Sequence, residues 1–219
     1  MKPKIIRIDP ERIDGAAVQE AVSLLQREGI LAYPTETVYG LGGDALSQRV
    51  YDRVKKIKGE GRTGPILVLI PDAGAVESLV YAVSPAAQIL MDRFWPGPLT
   101  LVMPAVPEFA PWLTGPGGSL GVRLSPDPVC RIILKVFGGP ILSTSANPSG
   151  RIPAQDVGDV LAYFGQNLDA VLDGGPRPSG VPSTVVDMTQ DPPCLVREGA
   201  LSRLTIEETI GVKLEFKTR

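Results

Sequence analysis

The chain has 219 residues and no histidine, which excludes a Ser-His-Asp triad and any zinc site built on histidine. Its formal net charge of −2 argues against binding nucleic acid with the whole surface. The two cysteines lack the spacing of a disulfide framework or metal site, and no apolar stretch approaches the ~18 residues of a membrane span. We therefore expect a cytoplasmic protein with no membrane contact and no protein-bound metal, whose chemistry depends on positioning and on cations that meet anions.

Helical and extended patterns alternate along the chain. The predicted helices, from their caps and apolar spacing, are residues 15–29, 46–57, 85–94, 127–137, 155–164 and 205–210. The predicted strands are residues 30–33, 66–70, 99–103, 120–124, 141–143, 170–172 and 184–187. Several strands follow one another too closely for parallel crossovers throughout, so the pattern predicts an α/β protein with a mixed sheet and helices on both faces. Residues 1–219 are expected to form a single domain.

A polar segment follows the first predicted strand. In YPTETVYGLGGD, residues 33–44, two threonines flank Glu36, and glycines follow at positions 40, 42 and 43. Hydroxyls and backbone N–H groups there suit a small polar ligand, and glycine allows close backbone approach. The same residues also suit a strand-to-turn passage in which the threonines cap backbone groups. The residues alone leave both interpretations open.

A second polar segment ends a later strand. In PILSTSANPSG, residues 140–150, five hydroxyl or amide residues fall within seven positions. The carboxyl ends of strands are where open sheets bind ligands, and hydroxyls and N–H groups in such a turn can hold phosphate oxygens. The alternative is a polar turn with an N-cap.

Basic residues are concentrated between positions 49 and 62, where six of them stand against two acids. Lys58 and Arg62 are expected beyond the second helix, in a Gly-rich loop, where they suit a clamp for a polyphosphate. Single arginines, Arg123 and Arg197, end two later apolar runs, either as ion-paired strand residues or as forks for a carboxylate or phosphate. The other four basic residues have the spacing of a solvated helix face: Arg49, Arg53, Lys55 and Lys56.

The order of these motifs resembles the YrdC/Sua5 family of threonylcarbamoyl-AMP synthases. The resemblance covers about residues 15–205 and rests on YPTETVYGLG, Lys58 ahead of a strand that follows a proline, WPGPLTLV, GVRL, STSAN-SG, STVVD and VREG. It implies a twisted mixed sheet with helices around a deep, positively charged cavity. It also implies a short form of the family, without the C-terminal domain of the longer Sua5 members.

The resemblance further implies an activity. Members of the family make L-threonylcarbamoyladenylate and pyrophosphate from L-threonine, bicarbonate and ATP, usually with Mg²⁺, for the modification of adenosine 37 in tRNA. Possible macromolecular partners are tRNA and the downstream threonylcarbamoyl-transferase proteins. The threonine amine and bicarbonate give a carbamate that attacks the α-phosphate, so no side-chain nucleophile is required.

Site residues follow from the matching positions. The resemblance implies that threonine is bound by Thr35, Arg123, Ser143 and Ser183. It implies that ATP is bound by Lys58, Arg62, Ser119, Ser145, Pro153 and Arg197, with backbone groups serving at Ser119 and Pro153. The expected catalytic set is Lys58, Arg62, Ser145 and Asn147.

Two positions depart from the family pattern. The Lys-x-Arg motif has a carboxylate, Glu60, in place of its arginine, and Leu69 stands where many members carry a histidine. Because Gly59 and Gly61 make the loop pliable, we expect Arg62 to replace the missing arginine.

Two other functions are compatible with parts of the pattern. A YrdC-fold paralogue without synthase activity would use a basic cavity to bind structured RNA, but the acidic net charge and the 5% aromatic content weigh against it. A carbamoyl-phosphate-processing domain of a hydrogenase-maturation protein is disfavoured, because the chain lacks that protein's additional domains and cysteine-rich fingers.

Overall fold

The computed structural model describes residues 2–59, 66–114, 117–177 and 180–216. Within these ranges the chain forms six α-helices, eleven strands and one 3₁₀ segment, Ala73–Ser78. The helices are α1 Gly15–Gln26, α2 Gln48–Lys58, α3 Pro85–Phe94, α4 Pro128–Phe137, α5 Val157–Phe164 and α6 Arg203–Ile210. The strands are β1 Lys4–Arg7, β2 Leu31–Tyr33, β3 Gly40–Asp44, β4 Leu67–Leu69, β5 Leu99–Pro104, β6 Ser119–Arg123, β7 Ile141–Ser145, β8 Ala170–Asp173, β9 Thr184–Asp187, β10 Cys194–Arg197 and β11 Glu215–Phe216.

The strands form one mixed sheet in the order β1-β8-β2-β3-β7-β4-β6-β5-β9-β10-β11. Five pairs are antiparallel (β2–β3, β3–β7, β4–β7, β5–β6 and β9–β10) and five are parallel (β1–β8, β2–β8, β4–β6, β5–β9 and β10–β11). The mixed sheet predicted from the close strand spacing is therefore confirmed.

Two hydrophobic layers cover the sheet. Successive strand residues point to opposite faces, so Ala32 belongs to a core shared with residues of α2, α3, α5 and α6. Leu31 and Leu69 instead belong to a second core, built with α1 and α4. Helices thus lie on both faces, as predicted.

Helix starts are set by short polar side chains. In each of the six helices the N-cap side chain accepts a hydrogen bond from a backbone N–H of the first turn, which satisfies a donor that has no intrahelical partner. The caps are Asp14, Ser47, Ser84, Asp127, Asp156 and Ser202.

The segment Gly40–Asp44, for which the sequence predicted no strand, is extended. It forms β3, which pairs with β2 on one side and β7 on the other. Glycine disfavours strands because it offers no side chain to pack. Here a side chain would have no room, because a Cβ on Gly42 would lie 1.6 Å from the Leu142 carbonyl oxygen. Three further strands escaped prediction: β1, β10 and β11.

A carboxylate near the C-terminus links stability to pH. Glu207 accepts hydrogen bonds from the Leu214 N–H at 2.8 Å and from Arg203 Nε at 2.7 Å. These contacts lower its pKa below the ordinary 4.5, the Leu214 N–H contributing most. A lowered carboxyl pKa adds stability above the unfolded pKa and loses it as the pH falls through the folded pKa.

We therefore expect Glu207→Gln to reduce the free energy of unfolding most at neutral pH. The difference from wild type should shrink as the pH falls below 4.5. Urea denaturation of both proteins between pH 3 and pH 7, in steps of about half a pH unit, tests this. A difference that stays constant over that range would contradict the linkage.

Candidate functional site

Strand register brings the predicted polar residues to one face of the sheet. Residues that pair across neighbouring strands share a face, and Ser143 pairs with Gly42 and Leu67, while Leu69 pairs with Arg123. The opposite face carries apolar side chains of the first core. We call the face that carries Ser119, Arg123, Ser143 and Ser145 the polar face.

Lys58 lies beside the end of β7. Its Nζ donates hydrogen bonds to the carbonyl oxygens of Ser145, at 2.6 Å, and Asn147, and to Asn147 Oδ1 at 3.3 Å. The lysine is only 9% exposed. Lys58, Ser145 and Asn147, predicted to act together, are thus in direct contact.

The placement of Lys58 corrects one expectation. It is the last residue of α2 and not part of a loop beyond the helix. The helix ends at Lys58 because the next residue, Gly59, has a φ of 86°, which is not helical. Arg62 and Glu60 lie outside the described residues, so the expected replacement of the motif arginine stays a prediction.

Asn147 holds the turn after β7. Its Nδ2 donates to the carbonyl oxygens of Pro148, at 3.0 Å, and Arg151, at 2.6 Å. The Ala154 N–H donates to the Ala146 carbonyl at 3.0 Å, so the neighbouring Pro153 also lies beside this turn. Asn147 therefore connects the Lys58 ammonium to the backbone that follows β7.

The threonine-rich loop between β2 and β3 is held by its own hydroxyls. Thr35 Oγ1 donates to the Val38 carbonyl at 2.6 Å and lies 3.0 Å from Thr37 Oγ1. The Thr35 hydroxyl therefore caps backbone groups of this segment, as the strand-to-turn interpretation predicted. Arg123 Nη1 donates to Thr37 Oγ1 at 3.4 Å, which joins the loop to the polar face.

Arg123 is a buried cation that is weakly held. Its side chain is 4% exposed, and its Nη1 lies 3.8 Å from Glu36 Oε1 without a hydrogen bond between them. Arg123 Nε and Glu36 Oε1 are both buried with no hydrogen-bond partner in the described part of the chain. Ser125 Oγ donates to the other glutamate oxygen at 2.5 Å.

A third group of contacts lies at the start of β9. Ser183 Oγ is 2.9 Å from Thr100 Oγ1, and the Ser183 carbonyl accepts hydrogen bonds from Arg197 Nε and Nη2, at 3.1 and 2.8 Å. Thr100 precedes Leu101, which pairs with Val122, so Thr100 faces the same side as Arg123. Ser183 and Arg197 are thus joined beside the polar face.

Several residues to which the resemblance gave no role contact the site. Glu36 and Thr37 contact Arg123, and Thr100 contacts Ser183. Ser125 contacts Glu36, and Asp127 Oδ2 accepts from Arg177 Nη1 at 2.9 Å. Glu36 and Thr37 belong to the polar segment of residues 33–44, which suits a small ligand, and Asp127 carried a signal of its own, since Asp before Pro128 is a helix N-cap pattern. Among the predicted residues, Ser119 and Ser143 join the others through sheet register.

Burial shifts the pKa values of two phenols, a thiol and a carboxyl group near the site. Burial raises the pKa of Tyr39 to about 12 and raises those of Tyr33 and Cys130. Burial also raises the pKa of Asp127, while the Cys130 N–H and Arg177 oppose the rise. The phenols and the thiol therefore stay protonated, and the polar face offers fixed charges and hydrogen-bond donors.

The described ranges contain neither a metal-binding cluster of side chains nor a membrane-spanning helix. No cluster of three or more His, Cys, Asp or Glu residues could hold a metal ion in the part of the chain that the structure describes. None of the helices in that part is long and apolar enough to cross a membrane.

Comparison with known proteins identifies relatives over most of the chain. The family profile named for Sua5, YciO and YrdC, described as telomere recombination, matches residues 23–199. A threonylcarbamoyl-AMP synthase of Pyrococcus abyssi is 34% identical over 92% of this chain, and the match spans 59% of that protein. A putative threonylcarbamoyl-AMP synthase of Mycobacterium tuberculosis is 34% identical over 93% of both chains.

A solved structure of the same family is similar to this chain over most of its length. The crystal structure of P. abyssi Sua5 complexed with L-threonine matches with a TM-score of 0.91 and 34% identity, over 96% of this chain and 62% of that one. The chain thus spans about three fifths of the length of these P. abyssi relatives. The resemblance seen in the motifs is confirmed, and the chain belongs to the Sua5/YciO/YrdC family.

Proposed function

We propose that the chain is a nucleotidyltransferase that makes L-threonylcarbamoyladenylate and pyrophosphate from L-threonine, bicarbonate and ATP. The observation that carries this proposal is Arg123, a guanidinium buried on the polar face with a donor unused. Such a group suits a ligand carboxylate. Further support comes from the P. abyssi relative, which was crystallised with L-threonine.

The threonine site is proposed around Arg123. Its guanidinium binds the α-carboxylate, and the hydroxyls of Thr35, Ser143 and Ser183 complete the site. All four residues are at most 4% exposed, so a ligand among them is removed from water. Electrostatic interactions are stronger in such a site than in solution.

The ATP site is proposed at the end of β7. The Lys58 ammonium faces the polyphosphate beside Ser145 and Asn147. The further proposed ATP contacts are Arg62, Ser119, Pro153 and Arg197. The threonine carbamate attacks the α-phosphate, and pyrophosphate leaves with both electrons of the broken P–O bond. The protein contributes positioning and dispersal of negative charge, which needs no histidine.

Mg²⁺ is expected to arrive with ATP. Because the described residues contain no acidic cluster that could hold it, the phosphates would be its principal ligands, and no step above depends on a protein-bound metal. When bound, the ion would neutralise phosphate charge.

The product is proposed to serve the modification of adenosine 37 in tRNA, through separate threonylcarbamoyl-transferase proteins. The expected compartment is the cytoplasm, because both cysteines, Cys130 and Cys194, are unpaired.

Mass spectrometry of the product tests the proposal. The purified chain is incubated with L-threonine, bicarbonate and ATP, and pyrophosphate release is followed in parallel with each substrate omitted in turn. We expect a threonylcarbamoyl adenylate and pyrophosphate only in the complete mixture. Salt-dependent binding of tRNA without threonine-dependent pyrophosphate release would replace the synthase with the RNA-binding alternative.

The departure at Glu60 gives a separate prediction. If Arg62 supplies the motif arginine, Arg62→Ala should reduce kcat/KM for ATP about tenfold or more, whereas Glu60→Ala should change it little. Steady-state pyrophosphate release by the two variants measures the difference. Full activity in both would show that neither side chain takes the role.

A further inference from the structure

Glu36 is a carboxylate of the site to which the resemblance assigned no role. It lies between Thr35 and Thr37, and its side chain is 16% exposed. Within the described ranges it is the only carboxylate within 4.0 Å of the Arg123 guanidinium. A buried charge is strongly destabilising without a partner, so Glu36 is the group that neutralises Arg123.

This ion pair leaves hydrogen-bonding capacity unused on both sides. The nearest nitrogen and oxygen are 3.8 Å apart, and neither Arg123 Nε nor Glu36 Oε1 has a hydrogen-bond partner in the ranges described. Buried polar groups in native proteins are usually satisfied, so two orphans side by side require an explanation. A ligand that carries both an acceptor and a donor would supply one.

The glutamate is held in place from its other side. Ser125 Oγ donates to Glu36 Oε2 at 2.5 Å, and the Asp127 N–H donates to Ser125 Oγ at 3.2 Å. Because Oε2 is occupied, Oε1 is the oxygen that remains on the side of Arg123. The pair therefore presents a fixed positive group and a fixed negative group next to each other.

We propose that Glu36 and Arg123 together recognise the zwitterionic α-amino acid, with Arg123 on the carboxylate and Glu36 on the ammonium group. The inference rests on the proposed function, which places threonine at this site. Glu36 is then a specificity-determining residue, since it favours substrates with an α-ammonium and disfavours simple carboxylates. A neutral residue at this position would leave a lone cation that prefers plain anions.

A pair of ligands separates this role from a structural one. (R)-3-Hydroxybutyrate is threonine without its amino group, so it keeps the carboxylate and hydroxyl and lacks the ammonium. We expect calorimetric titration to show tighter binding of L-threonine than of (R)-3-hydroxybutyrate to the wild type. In Glu36→Gln, threonine affinity should fall at least about tenfold while (R)-3-hydroxybutyrate binds equally well or better.

The control is Glu207→Gln, which also removes an ion-paired glutamate but lies on α6, away from the polar face. It should leave the ratio of the two affinities unchanged. If Glu36→Gln weakens both ligands equally, or leaves threonine binding unaltered, the inference is overturned while the proposed function stands. If the wild type binds no threonine, the proposed function fails and the inference fails with it.

Discussion

Lys58→Met is expected to lower kcat/KM for ATP by about 10²–10³-fold, because it removes the charge that would face the transferred phosphate. Methionine keeps the length of the stem, so the loss measures the ammonium. The Nζ hydrogen bond to Asn147 Oδ1, at 3.3 Å, is longer than that to the Ser145 carbonyl, at 2.6 Å. We expect a phosphate oxygen to replace the longer one.

Lys55→Met is the matched control for this variant. Lys55 lies on the same helix and is exposed, so its replacement should leave kcat/KM within about twofold, as expected of surface substitutions. Lys58→Met also leaves carbonyl groups unpaired, at a cost of about 1–3 kcal/mol, and thermal denaturation must show that the variant is folded at the assay temperature. A folded Lys58→Met with wild-type kinetics would remove Lys58 from the catalytic set.

Gly42→Ala is expected to have the largest effect on stability, more than about 4 kcal/mol, or to prevent folding. The added Cβ would lie 1.6 Å from the Leu142 carbonyl oxygen and 2.7 Å from its carbon. Both are backbone atoms of β7, which is paired with β4 on its other side. Since neither strand can move away without breaking sheet pairing, the overlap cannot relax locally.

Gly121→Ala provides the comparison for this prediction. Gly121 also lies in a strand of the polar face, opposite Leu67, but its added Cβ would meet no atom closer than 3.4 Å. We expect a change within about 1 kcal/mol by urea denaturation. Equal stability of the two variants would mean that β3 and β7 are further apart than described.

Local chemistry explains which parts of the fold the sequence predicts. Each helix begins after an Asp or Ser that caps it within two or three residues. Where the cap was recognised in the sequence, at Asp14 and Ser84, the predicted start agrees with the structure, whereas the starts predicted at residues 46, 155 and 205 are two residues away from the observed ones. The strand β3 is different. Its glycines suggest a turn by local preference, and only contact with Leu142, about 100 residues later, shows why a side chain is excluded.

In the candidate site, too, the sequence identifies residues but not the contacts between them. The motifs identify Lys58, Ser145 and Asn147 as a set, but the hydrogen bond from Lys58 to Ser145 spans 87 positions and appears only in the fold. Glu36 was visible as one of several polar residues in its segment. Its relation to Arg123 depends on how the loop before β3 folds against β6, which no local pattern encodes.

The insertion of β8 between β1 and β2 determines when the sheet can be completed during synthesis. Both neighbours precede β8 by well over a hundred residues, and the Ile30 N–H donates to the Asp169 carboxylate 139 positions away. During synthesis on the ribosome, β1 therefore has no strand partner until β8 has emerged. An unpaired edge of this kind invites incorrect association. Protection of the nascent β1 edge, by a chaperone or by helix α1, would limit such association until β8 has been synthesised.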